Sequence, residues 1–266
     1  MGTPILIVGA GKMGTALIRG WTRVGLGPIT AVEPNPSDAL KETCVKVVPS
    51  LDAVPAGKWR AAVVALKPHV VRTEAAKLET IAAAGSLMIS IAAGTDTALL
   101  HGAWGANASI VRVMPNTPGA IGKGISGLYA VPGVSAADRE FAQTLIAAIG
   151  QTVWLEQETW IDAVTAVSGS GPAYIFAVVA ALAKAGEAAG LPPVIAARLA
   201  RATVTGAGAL LEADTREITA LIRDVATPGG TTEAALKHLQ SADGLPDIMA
   251  RAVAAAKARA EELARC

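Results

Sequence analysis

The sequence predicts an α/β domain with a parallel sheet over residues 1–155, followed by an all-α domain over 156–266. In the first half, short apolar segments alternate with helical patterns, as they do in βαβ units. After about residue 156, by contrast, the sequence contains no convincing strand. The chain has 266 residues, of which 52% are hydrophobic and 17% charged, so it can bury the cores of two such domains.

The elements of the first domain follow one another in a regular order. Five short apolar runs predict strands at 4–8, 29–33, 61–66, 86–92 and 109–114. Intervening patterns predict helices at 12–25, 37–43 and 69–84. Strands joined by helices pair in parallel, so their carboxyl ends meet at one edge of the sheet, where cofactors bind.

The second domain is predicted to contain six helices separated by proline and glycine breaks, at 156–167, 172–189, 193–213, 215–225, 230–241 and 245–264. These helices are rich in alanine and glycine and hold few aromatic side chains. They lack bulk, so we expect the domain to complete its core against a second copy of the chain. A monomeric alanine-rich bundle is the alternative.

Composition argues against several classes of protein. The net charge is +1 and the basic residues are scattered, so no nucleic-acid-binding face is predicted. The apolar run at 173–183 ends at Lys184 and falls short of the roughly 20 residues of a spanning helix, so we interpret it as a buried helix. The distant cysteines Cys44 and Cys266 and the lack of signal-peptide features indicate a cytoplasmic protein. The three histidines show no metal-ligand spacing, so no metal site is predicted.

The first chemical motif is GAGKMG, which runs from Gly9 to Gly14 between a predicted strand and a predicted helix. In a dinucleotide-binding turn, Gly9 permits the tight turn, Gly11 lets the backbone approach a pyrophosphate, and Gly14 lets the helix pack on the strand. Lys12 and Met13 lie within the motif and are further candidates for cofactor binding. An ordinary glycine-rich turn is the alternative. In this context the motif predicts a Rossmann-type domain that binds NADPH or NADH.

Glu33 ends the second predicted strand, about 20 residues after the glycines, where such a domain contacts the adenosine ribose. A carboxylate there accepts hydrogen bonds from a ribose diol and disfavours a 2′-phosphate. Asn35 follows closely and could donate a hydrogen bond to that phosphate. A solvated glutamate at a strand end is the alternative.

Three further segments follow predicted strands and therefore belong to the same sheet edge. ALKPH contains Ala65, Lys67 and Pro68. Lys67 is either a catalytic lysine or, as we prefer, a neighbour of the cofactor, with Pro68 starting the next helix. In SIAAG, Ala93 is small enough to admit a flat ring. In MPNTP, Asn116 offers a neutral donor and acceptor, although a simple turn is the alternative.

The segment TPGGTT at 227–232 interrupts the helices of the second domain. Its glycines let backbone N–H groups converge on an anion at a helix N-terminus, and its hydroxyls flank them. The loop contains no cationic side chain, so a small carboxylate suits it. The alternative is a capped helix start, with Thr231 or Thr232 as the cap and Glu233 in the first turn. The candidate substrate-binding residues are Thr227, Gly229, Gly230, Thr231 and Thr232.

The chain resembles the pyrroline-5-carboxylate reductase family over nearly its full length. The resemblance is carried, in order, by GAGKMG, ALKPH, SIAAG, MPNTP, DAVTAVSGSGPAY and ATPGGTTEAALKHLQ, of which the last two are specific to that family. It implies a Rossmann domain followed by a helical domain that interlocks with a partner, hence a homodimer at least and possibly a decamer. The implied reaction reduces 1-pyrroline-5-carboxylate to L-proline with NAD(P)H, the last step of proline biosynthesis. A small imino acid is then the partner, rather than a nucleic acid or a membrane.

The same resemblance assigns roles to individual residues. The backbone at 229–232 and the hydroxyl of Thr227 hold the substrate carboxylate, and Thr232 hydrogen-bonds the ring nitrogen as the catalytic residue. Ala93 and Asn116 lie near the nicotinamide. We expect Thr232 to orient the ring and relay a proton from water, because the cofactor carries the hydride chemistry and the protein mainly fixes distance and orientation.

Three alternatives fit the same two-domain plan. The β-hydroxyacid dehydrogenases carry a catalytic lysine four residues after a glycine motif, where this chain has Ile175, and Lys184 comes too late. A reductase of the same family that acts on a six-membered cyclic imino acid is compatible with the sequence. A non-enzymatic dinucleotide-binding regulator is disfavoured by the intact Thr232 and the two glycines before it.

Overall fold

The computed structural model of the chain describes residues 3–43, 45–55 and 57–265. Both cysteines, Cys44 and Cys266, lie outside the described residues, so the expectation that rests on them stays a prediction. Compactness divides the chain into two units. The first comprises Met1–Ser170 together with Ala256–Cys266, and the second comprises Gly171–Ala255.

Among the described residues of the first unit, eight strands form a single sheet: β1 (Ile5–Val8), β2 (Ile29–Val32), β3 (Lys46–Val48), β4 (Ala61–Val64), β5 (Leu87–Ser90), β6 (Ile110–Met114), β7 (Gly124–Ala130) and β8 (Gly150–Trp154). Their spatial order is β3-β2-β1-β4-β5-β6-β7-β8. Neighbouring strands are parallel except for the antiparallel pair β6 and β7. The strand order reverses between β1 and β4, and ligands of such sheets bind outside the carboxyl ends of the strands at that point.

The five predicted strands are confirmed, each slightly shorter than expected, whereas β3, β7 and β8 were not predicted. Strands β1, β4 and β5 are buried along their whole length, so they read as continuous apolar runs. Strand β8, GQTVW, alternates between exposed and partly buried positions, and β7, GISGLYA, contains two glycines that normally indicate turns. Strand β3 has only three residues, one of them an exposed lysine.

Helices cover the sheet of the first unit: α1 (Lys12–Arg23), α2 (Asp38–Lys41), α3 (Pro68–Glu74), α4 (Glu79–Ala83), α5 (Thr97–Trp104), α6 (Ala136–Ala147) and α7 (Trp160–Val164). The helix predicted at 69–84 is divided into α3 and α4 by a 3₁₀ turn over Ala75–Leu78. The indole N–H groups of Trp21 and Trp104 are buried, and each donates to a backbone carbonyl, at 2.7 and 3.0 Å respectively.

The second unit is helical: α8 (Gly171–Ala188), α9 (Pro193–Ala213), α10 (Ile218–Val225), α11 (Thr231–Leu239) and α12 (Leu245–Arg265), whose last turns belong to the first unit. Helices α8 and α9 pack against each other. Within the described residues no strand follows β8, as the sequence predicted.

The transition from sheet to helices differs in two respects from the expectation. Helix α7 packs against β6 and β7, so the compact division falls after Ser170 rather than at the predicted boundary of 155 and 156. The predicted break before Pro172 is replaced by a π turn over Thr165–Gly169, in which the Ser170 N–H donates to the Thr165 carbonyl at 2.8 Å. Proline is tolerated immediately afterwards, because first-turn N–H groups have no partner within a helix.

The helices of the second unit expose much of their apolar surface. No residue of α8 is buried, so the expectation of a buried helix at 173–183 is wrong for the single chain. Phe176 is 68% exposed and Leu210 is 66% exposed. By length and composition alone, two helical segments, Trp160–Ala188 and Pro193–Ala213, could cross a membrane. The first of these segments comprises α7, the π turn and α8, and it still contains Lys184.

Candidate active site

The predicted dinucleotide site is a cavity of about 570 Å³ at the carboxyl ends of β1 and β2. It brings together four of the predicted cofactor-binding residues, namely Gly11, Lys12, Glu33 and Asn35. Ser37, a further expected donor to a cofactor phosphate, also lines it, and so does Arg19, which was not predicted. Arg19 could have been found from the sequence, because it lies seven residues after Lys12 and therefore on the same face of α1.

The glycine motif has the geometry that a phosphate-binding turn requires. Gly9 has φ +91°, and a Cβ there would lie 2.8 Å from the Ala65 carbonyl oxygen. A Cβ on Gly14 would overlap the Gly9 carbonyl oxygen, whereas the space beside Gly11 is open. The first and third glycines are therefore demanded by the fold, and the second leaves the backbone accessible at the start of α1. The Met13 side chain packs against the core.

The Glu33 carboxylate is held by the backbone on both sides. It accepts hydrogen bonds from the N–H of Ala10 at 2.9 Å and from the N–H of Asn35 at 3.1 Å. These contacts fasten the glycine turn to the end of β2. Nearby, the Arg19 guanidinium forms an exposed ion pair with Glu42 at 2.8 Å. The cavity therefore presents the cations of Lys12 and Arg19 beside a carboxylate that already has two donors.

The segment after β4 is positioned by the backbone. The Ala65 N–H donates to the Val8 carbonyl at 2.8 Å, which continues the pairing of β1 and β4 beyond their last residues. Lys67 is the N-cap residue of α3 and its side chain is exposed, while Pro68 occupies the first turn. Pro68 therefore starts the helix, as expected. The proposed role of Lys67 as a neighbour of the cofactor stays a prediction.

Ala93 and Asn116 follow β5 and β6 at the same edge of the sheet. Ala93 is partly exposed between buried neighbours. Asn116 is buried, with 8% of its surface exposed, and both ends of its side-chain amide form hydrogen bonds. Its Nδ2 donates to the Ser168 carbonyl at 3.2 Å, and its Oδ1 accepts from the Ile125 N–H at 3.0 Å. Asn116 thus holds the MPNTP turn in place, in addition to any contact with a cofactor.

A buried ionic cluster, which sequence reasoning missed, lies behind this edge. Arg112 of β6 is 4% exposed and pairs with Glu158 at 2.9 Å. Glu158 also accepts hydrogen bonds from the N–H and the hydroxyl of Thr97. Burial raises the pKa of the Asp162 carboxyl, while Arg112 opposes that shift. An arginine inside the apolar run SIVRVM was the available signal, because a buried charge requires a partner.

The second candidate turn, at 227–232, also depends on its glycines. The Gly230 N–H donates to the Thr227 carbonyl at 3.0 Å, and Gly229 has φ +72°. With Pro228 at the second position, these are the features of a type II turn. A Cβ on Gly230 would lie 2.6 Å from the Thr227 hydroxyl oxygen, so glycine there allows that hydroxyl to approach the backbone.

Helix α11 begins directly after this turn without a side-chain cap. Gly230 is its N-cap residue, so neither Thr231 nor Thr232 caps it, and that alternative is wrong. Glu233 lies in the first turn, as the same alternative expected, and its Oε2 accepts from the Gly229 N–H at 2.7 Å. Thr231 is exposed, and Thr232 is half-buried at the edge of an apolar groove of about 420 Å³ formed by α9, α10 and α11.

No group of three or more histidine, cysteine, aspartate or glutamate side chains that could hold a metal ion occurs among the described residues.

Two family models match the chain. A model described as pyrroline-5-carboxylate reductase dimerisation matches residues 158–263, which include the π turn and all the helices from α8 to α11. A model described as NADP oxidoreductase, coenzyme F420-dependent, matches residues 4–94, from β1 to the segment after β5. The matched regions contain the two candidate turns.

Curated relatives match almost end to end. The chain is 40% identical to a pyrroline-5-carboxylate reductase of Pseudomonas aeruginosa, over 99% of this chain and 98% of that protein. It is 36% identical to a pyrroline-5-carboxylate reductase of Glycine max, over 96% of this chain and 94% of that protein.

Solved structures agree in fold. A pyrroline-5-carboxylate reductase from Coxiella burnetii superposes with a TM-score of 0.90 at 33% identity, covering 99% of both chains. A Plasmodium falciparum pyrroline carboxylate reductase with NADP bound superposes with a TM-score of 0.83, covering 98% of both chains. Its identity to this chain is 24%, so that likeness concerns the fold alone.

Proposed function

The chain belongs to the pyrroline-5-carboxylate reductase family, and from that membership we propose that it reduces 1-pyrroline-5-carboxylate to L-proline by hydride transfer from NAD(P)H. The observation that carries this function is the 40% identity to a pyrroline-5-carboxylate reductase over 99% of the chain. The reaction is the last step of proline biosynthesis.

In this reaction NAD(P)H supplies the hydride, which is added to the carbon of the C=N bond while the nitrogen gains a proton. The glycine turn suits the pyrophosphate, because the N-terminus of α1 presents backbone N–H groups there and Lys12 adds a positive charge. Ala93 and Asn116 lie at the same edge of the sheet and are proposed to flank the nicotinamide.

The turn at 227–232 is proposed to hold the substrate carboxylate. It suits a small anion, because α11 begins there without a side-chain cap and the Thr227 hydroxyl lies over Gly230. Thr232 then orients the ring nitrogen and relays a proton from water. A protonated imine is already electrophilic, so positioning accounts for most of what the protein must contribute.

Both cofactors are proposed to be used, with NADH relatively more effective here than in relatives that lack an acid at the position of Glu33. The carboxylate opposes a 2′-phosphate, although its two backbone donors moderate that opposition. The same cavity is also lined by Lys12, Arg19 and Asn35, which favour binding of the 2′-phosphate. The preference between NADPH and NADH therefore depends on the balance between the Glu33 carboxylate and the neighbouring cations.

A homodimer is proposed as the minimal active unit, because the exposed apolar helices of the second unit lie in the region matched by the dimerisation model. A second subunit would cover surfaces such as those around Phe176 and Leu210. We further propose that the active site draws on both subunits and that dimers can associate into a decamer. Subunit contact also accounts for the two long apolar helical segments, so no membrane is needed to cover them. We propose that the enzyme is cytoplasmic and that it binds no nucleic acid.

The decisive assay follows NAD(P)H oxidation with 1-pyrroline-5-carboxylate and with its six-membered analogue, and identifies the product. We expect L-proline from the five-membered substrate with either cofactor. Faster turnover of the six-membered ring would favour a reductase for another cyclic imino acid. Cofactor binding without turnover of either substrate would favour a non-enzymatic regulator.

A further inference from the structure

The Glu233 carboxylate occupies one of the backbone donors that the proposed function assigns to the substrate. Its Oε2 lies 2.7 Å from the nitrogen of Gly229, at the start of the proposed carboxylate-binding backbone. Among the described residues, the side chain of Glu233 accepts a hydrogen bond from this N–H and forms no ion pair. A carboxylate of the protein itself is therefore already hydrogen-bonded to the turn.

This contact differs from an ordinary capping box, in which the third residue of a helix accepts from the N-cap N–H. The N-cap of α11 is Gly230, and its N–H is committed to the Thr227 carbonyl at 3.0 Å. Glu233 reaches one residue further back, to an N–H that belongs to the turn rather than to the helix. The bond consequently ties up a donor of the turn instead of completing the helix.

We propose that Glu233 is a specificity-determining residue that competes with the substrate carboxylate for the turn. The inference rests on the proposed function. A carboxylate that binds the same backbone must either displace Glu233 from Gly229 or lie beside a like charge, and both weaken its binding. The side chain therefore lowers the affinity for every ligand held through a carboxylate, substrate and product alike, and speeds the departure of the product.

The test compares Glu233→Gln and Glu233→Ala with the wild-type enzyme in steady-state kinetics. The first substitution removes the charge, and the second also removes the competing acceptor. We expect the KM for 1-pyrroline-5-carboxylate to fall by about 3- to 30-fold, the range expected for one charge-assisted hydrogen bond at a partly exposed site. The inhibition constant of L-proline should fall by a similar factor, while the KM for the cofactor stays constant.

Two controls separate competition from a structural effect. Reduction of 1-pyrroline, which lacks the carboxylate, should show no gain in KM. Glu140→Gln, on the exposed surface of α6, should leave all constants unchanged. Comparable melting temperatures would exclude misfolding as the cause of any difference.

An unchanged or increased KM for 1-pyrroline-5-carboxylate in both Glu233 variants would overturn this inference, and so would an equal gain with 1-pyrroline. A wild-type enzyme that turns over no imino acid would contradict the proposed function instead. The role of Glu233 is then decided by titration calorimetry with L-proline, where tighter binding by the variants supports it and unchanged binding refutes it.

Discussion

The two glycine-rich turns of this protein both precede a helix, and both hold a glutamate carboxylate on a backbone N–H. In the sheet unit, as we call the first unit, Ala10 donates to Glu33, which directly follows strand β2 and lies 23 residues away. In the helical unit, Gly229 donates to Glu233, only four residues further along the chain. The first contact is part-buried and the second is exposed.

The same contrast extends to the two units. Around Gly9 and Gly14 the backbone of the sheet unit is packed too closely for a side chain, whereas a Cβ on Gly229 would meet no atom within 4 Å. The largest fully buried side chains, such as Trp21 and Trp104, lie in the sheet unit, while the helical unit leaves Phe176 and Leu210 exposed. Long-range packing fixes the first turn, and local bonds hold the second, which can therefore respond more readily to a ligand or a partner.

The largest expected effect concerns the exposed helices. Phe176→Glu should weaken dimerisation by about 3–5 kcal/mol, because a partner would have to bury an unpaired charge. Light scattering with activity measurements over a dilution series would detect the loss of dimers. Val24→Glu is the matched control, since Val24 is 55% exposed on the sheet unit and should not affect assembly. An active Phe176→Glu monomer would show that the helical unit is complete alone.

The next effect separates the chemistry of the two turns. Thr232→Ala should lower kcat by roughly 10- to 1000-fold, because it removes the proposed hydrogen bond that orients the ring nitrogen. Cofactor affinity, measured by titration calorimetry, should change little, since we assign the dinucleotide to the other turn. An unchanged kcat would refute the role of Thr232.

A pair of glycine variants measures the packing of the first turn. Gly14→Ala should destabilise the protein by about 1–3 kcal/mol, because the added methyl group overlaps the Gly9 carbonyl oxygen. Gly11→Ala should leave the free energy of unfolding nearly unchanged, as the space beside it is open. Denaturant titration compares the two variants. Equal stability of the two variants would mean that the close packing at Gly14 does not constrain the first turn.

The smallest effect concerns cofactor choice. Glu33→Ser should raise kcat/KM for NADPH relative to NADH, by an amount corresponding to about 1–3 kcal/mol for a carboxylate beside a phosphate. Because Glu33 also binds the Ala10 N–H, some loss with both cofactors is expected. The ratio of the two kcat/KM values is therefore the informative quantity. A constant ratio would mean that Glu33 stabilises the glycine turn but does not discriminate between the two cofactors.

Much of the fold could be predicted from the sequence because the patterns that indicate its strands and turns are local. Strands β1, β4 and β5 are continuous apolar runs, and proline and glycine mark the second turn. What could not be predicted depends on distant residues. The hydrogen bonds of Glu33 and Asn116 and the pairing of Arg112 with Glu158 join segments far apart in sequence. The exposure of α8 depends on whether a second chain covers it, which apolar composition alone does not specify.

The central claim is that the chain transfers a hydride from the nicotinamide to the C=N carbon of 1-pyrroline-5-carboxylate. The most direct test uses NADPH or NADH carrying deuterium at the transferred position of the nicotinamide, with NMR analysis of the product. The account predicts L-proline with one deuterium on C5, the former imine carbon, and a nitrogen-bound hydrogen that exchanges with solvent. Product without deuterium at C5, or no product with either cofactor, would contradict it.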